Sequence, residues 1–329
     1  MIYYTFDQLY CILLYFVKRL YVIIWKKQNV SVKCLVGKTA IVTGSSSGIG
    51  YATAVTLASR GCKVILADCV NQKTEDKIIE TTGNKDITFC HIDLSSLRSV
   101  RNFASEICKK EDKIDILINN AGIGVTKKTV SEDGLNYLMQ VNVFGAFLLT
   151  HLLIEPLKKS GSARVLFTSS MAAVIHNLKL KNLNKTDFEM NDIYRERLYC
   201  NSKACNILVA QEFAKKLERY GITVNSVEPY VVKTPILKNV EDFDSAIVKM
   251  AIACVVLTAK DALDVAADFL CVITKNNPRR TNGLHFVLSS VGDKPWIFND
   301  QKYCKDMWAA MEDLVKLKPE ERIVQKNSC

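Results

Sequence analysis

Lys38-Thr39-Ala40-Ile41-Val42-Thr43-Gly44-Ser45-Ser46-Ser47-Gly48-Ile49-Gly50 carries the strongest structural signal in this chain. An apolar, strand-like run comes first, glycines and serines follow, and a helix-like stretch continues to Arg60. Glycines at these spacings permit a tight turn, a close approach of backbone to a pyrophosphate, and close packing of helix on strand. The phosphates would lie at a helix N-terminus, where free N–H groups and the helix dipole favour negative charge. The stretch therefore predicts a strand, turn and helix that bind a dinucleotide.

Length and composition set the class of protein. The chain has 329 residues, 49% of them hydrophobic, which is enough to bury one large α/β core. Its net charge is +10, but the lysines and arginines are scattered and no nucleic-acid motif accompanies them. We therefore expect no nucleic-acid partner, and some attraction to an anionic membrane face. The 12 cysteines form no C-x-x-C pair or Cys/His cluster, so we expect neither a metal site nor a disulfide scaffold.

Strand-like and helix-like stretches alternate along the chain. Strands are predicted at 40–43, 64–67, 87–91, 114–118, 165–168, 223–227 and 284–288. Helices are predicted near 49–60, 72–81, 97–110, 132–158, 199–220 and 260–275. This alternation predicts a single doubly wound α/β domain of the Rossmann type over 36–290, with a central parallel sheet and helices on both faces. Residues 291–329 are predicted to form a C-terminal helical extension, with a helix near 301–317.

The first 28 residues form a separate hydrophobic segment. Residues 9–17 and 20–25 are apolar, and Lys18-Arg19 lies between them. The uninterrupted run is shorter than the roughly 20 residues of a spanning helix, so the segment either crosses the membrane with snorkelling side chains or lies in its interface. Lys26 and Lys27 predict that the following chain is cytosolic, on the endoplasmic reticulum or another intracellular membrane. A helix packed on its own domain is the alternative.

Two carboxylates follow the predicted second and third strands. Asp68 comes about twenty residues after the glycines, where a carboxylate accepts hydrogen bonds from ribose hydroxyls and repels a 2′-phosphate. Because the glycine turn also contains no Lys or Arg, NAD is favoured over NADP. Asp68 can equally be an ordinary strand-end or capping residue. Asp93 either meets the adenine edge or caps the helix that starts near Ser96.

A phenol and an ammonium group stand four residues apart in Tyr199-Cys200-Asn201-Ser202-Lys203, and therefore on one face of a helix. A free phenol has a pKa near ~10, and a neighbouring ammonium lowers it. Tyr199 can then exchange a proton with an alcohol or carbonyl as hydride moves. Ser169 and Ser170 end the fifth strand at the carboxyl edge of the sheet, where such sheets place ligands.

These residues, with Asn119-Asn120-Ala121-Gly122 and Asn142, resemble the short-chain dehydrogenase/reductase family over about residues 36–290. The N-terminal segment, an insertion at 171–198 and the C-terminal tail resemble its retinol dehydrogenase branch. Members of that branch commonly carry a basic residue that favours NADP where this chain has Cys69, directly after Asp68.

The resemblance implies a role for each matching residue. Tyr199 is the acid/base, Lys203 lowers its pKa and holds the nicotinamide ribose, Ser170 binds the substrate oxygen, and Asn142 anchors a water. The implied cofactor contacts, with Tyr199 and Lys203, are Gly44, Ser46, Ser47, Gly48, Ile49, Gly50, Asp68, Asp93, Leu94, Asn120, Ala121, Gly122, Pro229 and Thr234. Tyr230 departs from the family pattern, which usually has glycine after the proline, and so leaves the contact of Thr234 open.

The resemblance also implies the substrate class. The insertion should border the substrate pocket and mixes apolar residues with lysines, which suits a lipophilic alcohol or carbonyl of retinoid, sterol or isoprenoid type. A plain surface loop is the alternative. An NADPH-dependent reductase of lipophilic aldehydes or ketones and a catalytically inactive nucleotide-binding scaffold are the competing functions. The family often pairs through its fourth and fifth connecting helices, so a homodimer stays open.

Overall fold

A central sheet organises the residues that this computed structural model describes, namely 31–70, 73–124, 126–186, 192–229, 232, 259–275 and 278–323. Its strands are β1 (Thr39–Thr43), β2 (Lys63–Asp68), β3 (Ile87–His91), β4 (Ile116–Asn119), β5 (Arg164–Thr168), β6 (Thr223–Glu228), β7 (His285–Val287) and β8 (Ser290–Val291). They lie in the order β3-β2-β1-β4-β5-β6-β7-β8, and every neighbouring pair is parallel except β7 with β8. The strand order reverses between β1 and β4, which opens a crevice at the carboxyl ends of these strands.

Helices cover both faces of this sheet. They are α1 (Gly48–Ala58), α2 (Thr74–Thr82), α3 (Leu97–Lys110), α4 (Tyr137–Met139), α5 (Gly145–Leu152), α6 (Ile154–Lys159), α7 (Asp192–Leu217), α8 (Ala262–Ile273) and α9 (Gln301–Leu314). Side chains from alternate positions of β1 enter two different apolar clusters, one with α3, α5, α7 and α9, the other with α1, α2 and α8. The predicted doubly wound α/β architecture is confirmed.

The fourth helical region differs from its prediction. A helix was expected from residue 132, but Gly134, with φ +77°, closes a turn onto the Ser131 carbonyl at 3.2 Å. Asn136 then caps α4 by accepting a hydrogen bond from the Met139 N–H at 3.0 Å. A π-helical turn, Gln140–Phe144, separates α4 from α5. Turn and capping chemistry therefore moves the helix start to Tyr137.

The seventh helix is longer than its prediction. It begins at Asp192 rather than at residue 199, so Tyr199 lies inside α7 and not at its first residue. The helix ends at Leu217, where a 3-10 turn leads into Gly221 with φ +72°. Tyr199 and Lys203 therefore both sit within continuous helix, which fixes their relative direction.

The C-terminal helix α9 belongs to the same apolar core as the sheet. Trp308 packs edge-on against Phe147 of α5 and Phe213 of α7, with ring centroids 4.8 Å apart in both cases. The outer side of α5 and α7, through which the family resemblance allows pairing, is thus covered by part of the chain itself. The homodimer stays a prediction.

Within the described ranges, no helix combines the length and the apolar character that crossing a bilayer requires. The predicted anchor at 1–28 lies outside the described residues. So do Tyr230 and Thr234.

Replacing Trp308 tests how much the extension contributes to stability. Trp308 is 5% exposed, so Trp308→Ala leaves a cavity between α5, α7 and α9 and should lower the free energy of unfolding by about 3–5 kcal/mol. Trp296 is 80% exposed, so the matched variant Trp296→Ala should change it by less than about 0.5 kcal/mol. Urea unfolding of both variants gives the measurement. Equal effects would show that α9 does not share the core.

Candidate active site

The turn after β1 brings backbone atoms so close together that only glycine fits at two of its positions. A Cβ on Gly50 would lie 2.0 Å from the Gly44 carbonyl oxygen, and one on Gly44 would lie 2.8 Å from the Ala121 Cα. Gly44 and Gly48 also have φ of +67° and +55°, which L side chains rarely adopt. The turn therefore brings α1 down onto β1 and against the end of β4.

The end of β4 is fastened to this turn by hydrogen bonds. The Thr43 hydroxyl accepts from the N–H groups of Asn120 and Ala121, each at 3.0 Å. The Asn120 side-chain amide donates to the carbonyl oxygens of Thr43 at 3.0 Å and Gly44 at 3.4 Å. Asn120 and Ala121 thus form the floor of the crevice between β1 and β4.

The N-terminus of α1 has the properties of a diphosphate site. Ser47 is the N-cap residue and is exposed, and its side chain makes no capping hydrogen bond in the described structure. The first turn of α1 carries no acidic residue. The buried Ser45 hydroxyl has no hydrogen-bond partner among the described residues. Open N–H groups, a positive helix end and a hydroxyl without a partner fit a bound phosphate group.

Asp68 lies at the end of β2 and faces the same turn. One carboxylate oxygen accepts from the Ser46 N–H at 2.8 Å, and the other accepts from the Cys69 N–H at 2.7 Å. The oxygen bonded to Cys69 also accepts from the Val70 N–H at 3.4 Å, whereas the oxygen bonded to Ser46 keeps a second lone pair, so the three bonds orient the group without using its whole acceptor capacity. Asp68 therefore has a structural role in the turn, and its predicted role toward ribose stays open.

Asp93 and Leu94 follow β3. Asp93 accepts from the Ser95 N–H at 2.8 Å, whereas the N-cap of α3 is Ser96, whose hydroxyl accepts from the Ser99 N–H at 3.3 Å. Asp93 is therefore not the N-cap of α3, and its contact with the adenine edge stays a prediction. Leu94 is buried, and its carbonyl lies where a Cβ on Gly145 would be 2.7 Å away.

The two serines after β5 have different surroundings. The Ser169 hydroxyl is buried and donates to the Lys203 carbonyl at 2.8 Å, which ties β5 to α7. The Ser170 hydroxyl instead hydrogen-bonds the Tyr199 side chain, and it accepts from the Ala172 N–H at 3.2 Å. Ser170 and Tyr199 are both half-buried. The structure thus brings Ser170, rather than Ser169, together with Tyr199.

Burial dominates the ionisation of the Tyr199 and Lys203 pair. It raises the pKa of Tyr199, and the hydrogen bond with Ser170 offsets only part of that rise. It lowers the pKa of Lys203 to about 8. The lowering of the Tyr199 pKa that was expected from Lys203 is therefore not observed, and the only opposing contribution to the rise comes from Ser170. The Lys203 ammonium lies 5.7 Å from the Tyr199 ring centroid and donates to the Thr168 carbonyl at 3.3 Å.

Asn142 connects α7, the helix of Tyr199 and Lys203, to the chain after β4. In the π-helical turn, its side-chain oxygen accepts from the Ile123 N–H at 2.8 Å, and its amide donates to the Ile123 carbonyl and the Ser202 hydroxyl, each at 3.0 Å. A Cβ on Gly122 would lie 3.1 Å from the Lys203 amine and 3.2 Å from the Asn142 side-chain oxygen. Gly122, Asn142 and Lys203 therefore meet in one place.

Several residues of this site were not predicted. The Thr43 hydroxyl holds the floor of the crevice by accepting from the Asn120 N–H. Ser202 links Asn142 to α7. Asn206 donates to the Thr168 carbonyl at 3.1 Å, beside Lys203. Isolated Thr, Ser and Asn residues carry no sequence signal, because their partners are distant along the chain. Pro229 is buried directly after β6, and its contact with the nicotinamide side stays a prediction.

Comparison with known proteins agrees with this geometry. A profile for the short chain dehydrogenase family matches residues 38–182. Retinol dehydrogenase 13 from Homo sapiens is 39% identical over 201 residues, which are 60% of this chain and 60% of that protein. Dehydrogenase/reductase SDR family member 13 from Bos taurus is 34% identical over 290 residues, which are 87% of this chain and 75% of that protein. A crystal structure of a Mycobacterium paratuberculosis protein has a TM-score of 0.68 at 24% identity and covers 89% of this chain and 97% of its own.

The burial of Lys203 has a consequence for stability. Its folded pKa of about 8 is below the ordinary value of 10.5, so the unfolded chain binds more protons between these pH values. Stability contributed by this group therefore rises with pH across that window, by up to about 3 kcal/mol.

Urea unfolding at a series of pH values, for the wild type and Lys203→Met, measures this effect. We expect the wild type to gain stability relative to the variant from about pH 8 to about pH 10.5. The difference cancels the titration of other buried groups, such as the Cys205 thiol, whose pKa is raised to about 12 by burial. A pH-independent difference would contradict the prediction.

Proposed function

Because the chain belongs to the short-chain dehydrogenase/reductase family, we propose that it is an oxidoreductase that transfers a hydride between a nicotinamide dinucleotide and a lipophilic alcohol or carbonyl. Its regions that match retinol dehydrogenases 13 and 11 span only 60% and 64% of those proteins. The activity and the substrate are therefore proposed from the site of this chain.

One observation carries the proposal: the hydrogen-bonded hydroxyls of Ser170 and Tyr199 next to the buried Lys203 amine. A bound alcohol or carbonyl oxygen that accepts from Ser170 is within reach of the Tyr199 proton. The three groups come from β5 and α7, which Ser169 ties together. A binding scaffold requires none of this arrangement.

Tyr199 moves the proton in the proposed reaction. In reduction, its phenol gives a proton to the carbonyl oxygen, and Tyr199 is protonated at neutral pH because burial raises its pKa. In oxidation, the phenolate takes the hydroxyl proton while the C–H bond electrons leave with the hydride. A nicotinamide dinucleotide, when bound, supplies or accepts that hydride.

The dinucleotide would be held along the crevice between β1 and β4. The α1 N-terminus with Ser45 suits its phosphates, and Asn120 and Ala121 form the floor under it. We propose a preference for NAD because the Asp68 carboxylate is oriented at the end of β2 by three backbone N–H groups. A 2′-phosphate beside it would meet a like charge.

A lipophilic substrate is supported by the insertion after Ser170 and by the retinol dehydrogenase relatives. The structure divides the apolar residues of the insertion into two groups. Leu178 and Leu183 are buried, whereas Ile175 is 40% and Leu180 is 51% exposed. These two exposed apolar side chains, in the segment that follows Ser170, are surface that a retinoid, sterol or isoprenoid group could cover.

We further propose that residues 1–28 attach the protein to an intracellular membrane with the catalytic domain in the cytosol. The support is the pair of apolar runs followed by Lys26 and Lys27. A lipophilic substrate dissolved in that membrane would then lie close to the site.

Replacement of Tyr199 tests the chemistry. Tyr199→Phe removes the proton-transfer group and should lower turnover by at least about 100-fold while dinucleotide binding persists. Tyr220→Phe is the matched control, because Tyr220 is also half-buried but lies in the 3-10 turn after the far end of α7. Turnover is measured with a panel of a retinol, a sterol and an isoprenoid alcohol. Unchanged turnover of a good substrate in Tyr199→Phe would refute the mechanism, and a wild type that binds dinucleotide but turns over nothing supports a scaffold.

Replacement of Asp68 tests the cofactor preference. We expect the wild type to prefer NAD by roughly 100-fold in kcat/KM, and Asp68→Asn to narrow this ratio by about tenfold because it removes the charge. Asp76→Asn, on the exposed side of α2, is the control for a loss of acidic charge elsewhere. Equal or better turnover of the wild type with NADP would overturn the assignment and favour the NADPH-dependent reductase.

A further inference from the structure

The C-terminal extension is anchored to the back of the catalytic helix. Trp308 packs against Phe147, Phe213 and His151, with centroid distances of 4.8, 4.8 and 5.3 Å. The Met311 sulfur lies 3.7 Å from the Cys205 sulfur, two residues after Lys203. Because these side chains are buried, α9 is fixed relative to α7.

The turn that precedes α9 is held by the same catalytic helix. Gln211 of α7 is buried, and its side-chain amide donates to the Phe298 carbonyl at 2.8 Å. Lys294 in turn donates to the side-chain oxygen of Gln211 at 2.5 Å. Phe298 is itself 1% exposed. The position of Phe298 is therefore set from α7.

The C-terminal extension binds the first part of the insertion, residues 171–183, which we call the pocket segment. The Tyr303 hydroxyl donates to the Leu178 carbonyl at 2.9 Å. The Phe298 ring stacks on His176 with a centroid distance of 5.7 Å. The pocket segment begins directly after Ser170, so these contacts lie only six to eight residues from the substrate-binding hydroxyl.

Helix α7 also binds the pocket segment, through hydrogen bonds of its own. Asn201, two residues after Tyr199, is 3% exposed and accepts from the Asn177 N–H at 2.9 Å. Its amide donates to the Asn177 side-chain oxygen at 3.0 Å. Asn177 thus lies between His176 and Leu178, the two residues that the extension holds. Three consecutive residues are fixed by two different elements.

We propose that Tyr303 and Asn201 are positioning residues that hold the pocket segment as a preformed wall for the apolar part of the substrate. The inference rests on the proposed function for the identity of the pocket. A segment without these bonds must be ordered when substrate binds, and the apparent dissociation constant then rises as the inverse of the fraction of molecules in which the segment is already ordered. A long apolar substrate contacts the wall and loses affinity, whereas a short alcohol reaches only Ser170 and Tyr199.

The experiment compares KM and kcat for a C20 isoprenoid alcohol and for a short secondary alcohol. Loss of one hydrogen bond corresponds to a change of about fivefold, so Tyr303→Phe and Asn177→Ala should each raise KM for the long alcohol about fivefold. Both kcat values and KM for the short alcohol and the dinucleotide should change by less than about twofold. Asn177→Asp keeps the oxygen that accepts from Asn201 and should restore KM. Tyr220→Phe is the control for loss of a tyrosine hydroxyl.

A second measurement is independent of turnover. Hydrogen exchange of the full-length protein should be faster in residues 171–183 of Tyr303→Phe and Asn177→Ala, and unchanged in α5 and β5. Equal effects on both alcohols, or unchanged exchange and KM, would overturn the inference. If the wild type oxidises none of the alcohols, the proposed function fails, and the exchange result alone decides whether the two positioning residues hold the segment.

Discussion

The contact between Gly50 and the Gly44 carbonyl, with Gly44 against Ala121, places every other part of the site. It brings the N-terminus of α1 to the carboxyl ends of β1 and β4, where backbone atoms of the helix, of the turn and of the end of β4 approach each other with no side chain between them. The Thr43 hydroxyl then holds the β4 end by accepting two N–H groups. From there Gly122 passes close to Asn142 and Lys203. A side chain at Gly44 or Gly50 would push α1 away from the ends of β1 and β4, because the nearest neighbours are backbone atoms that cannot rotate away. At Gly122 the neighbours are instead the ends of the Lys203 and Asn142 side chains.

Burial has opposite consequences for the two titratable groups of α7. It disfavours both the phenolate of Tyr199 and the ammonium of Lys203, and so raises one pKa and lowers the other. The ordinary values of 10.0 and 10.5 are close together, so burial moves the two pKa values apart and favours the neutral phenol beside the neutral amine. Groups with strongly perturbed pKa values in a crevice are typical of active sites. Burial acts on His151 as it acts on Lys203: it holds the imidazole neutral, with a pKa of about 4, inside the aromatic cluster that anchors α9.

The C-terminal extension has two structural roles. Its apolar face completes the core over α5 and α7, and its polar residues reach the pocket segment through Tyr303 and the turn at Phe298. Because α9 is fixed by Trp308 and also binds Leu178, the pocket segment is tied to the apolar core. Such support from outside the chemistry is how a scaffold keeps a binding wall in place.

The local pattern of residues determined most of the architecture. Apolar runs and glycines predicted all the parallel strands, the turn at Gly44, and the shared helix face of Tyr199 and Lys203, because these features depend on neighbours along the chain. Gly134 and Asn136 are residues typical of a turn and a helix cap, but the prediction followed the apolar pattern around them and so started the helix too early. The family resemblance already selected Ser170 rather than Ser169 as the partner of Tyr199. The net direction of the Tyr199 pKa and the hydrogen bond from Tyr303 to Leu178 were decided by tertiary structure alone. Each depends on atoms that are distant in sequence, and burial and hydrogen-bond partners exist only once the chain has folded.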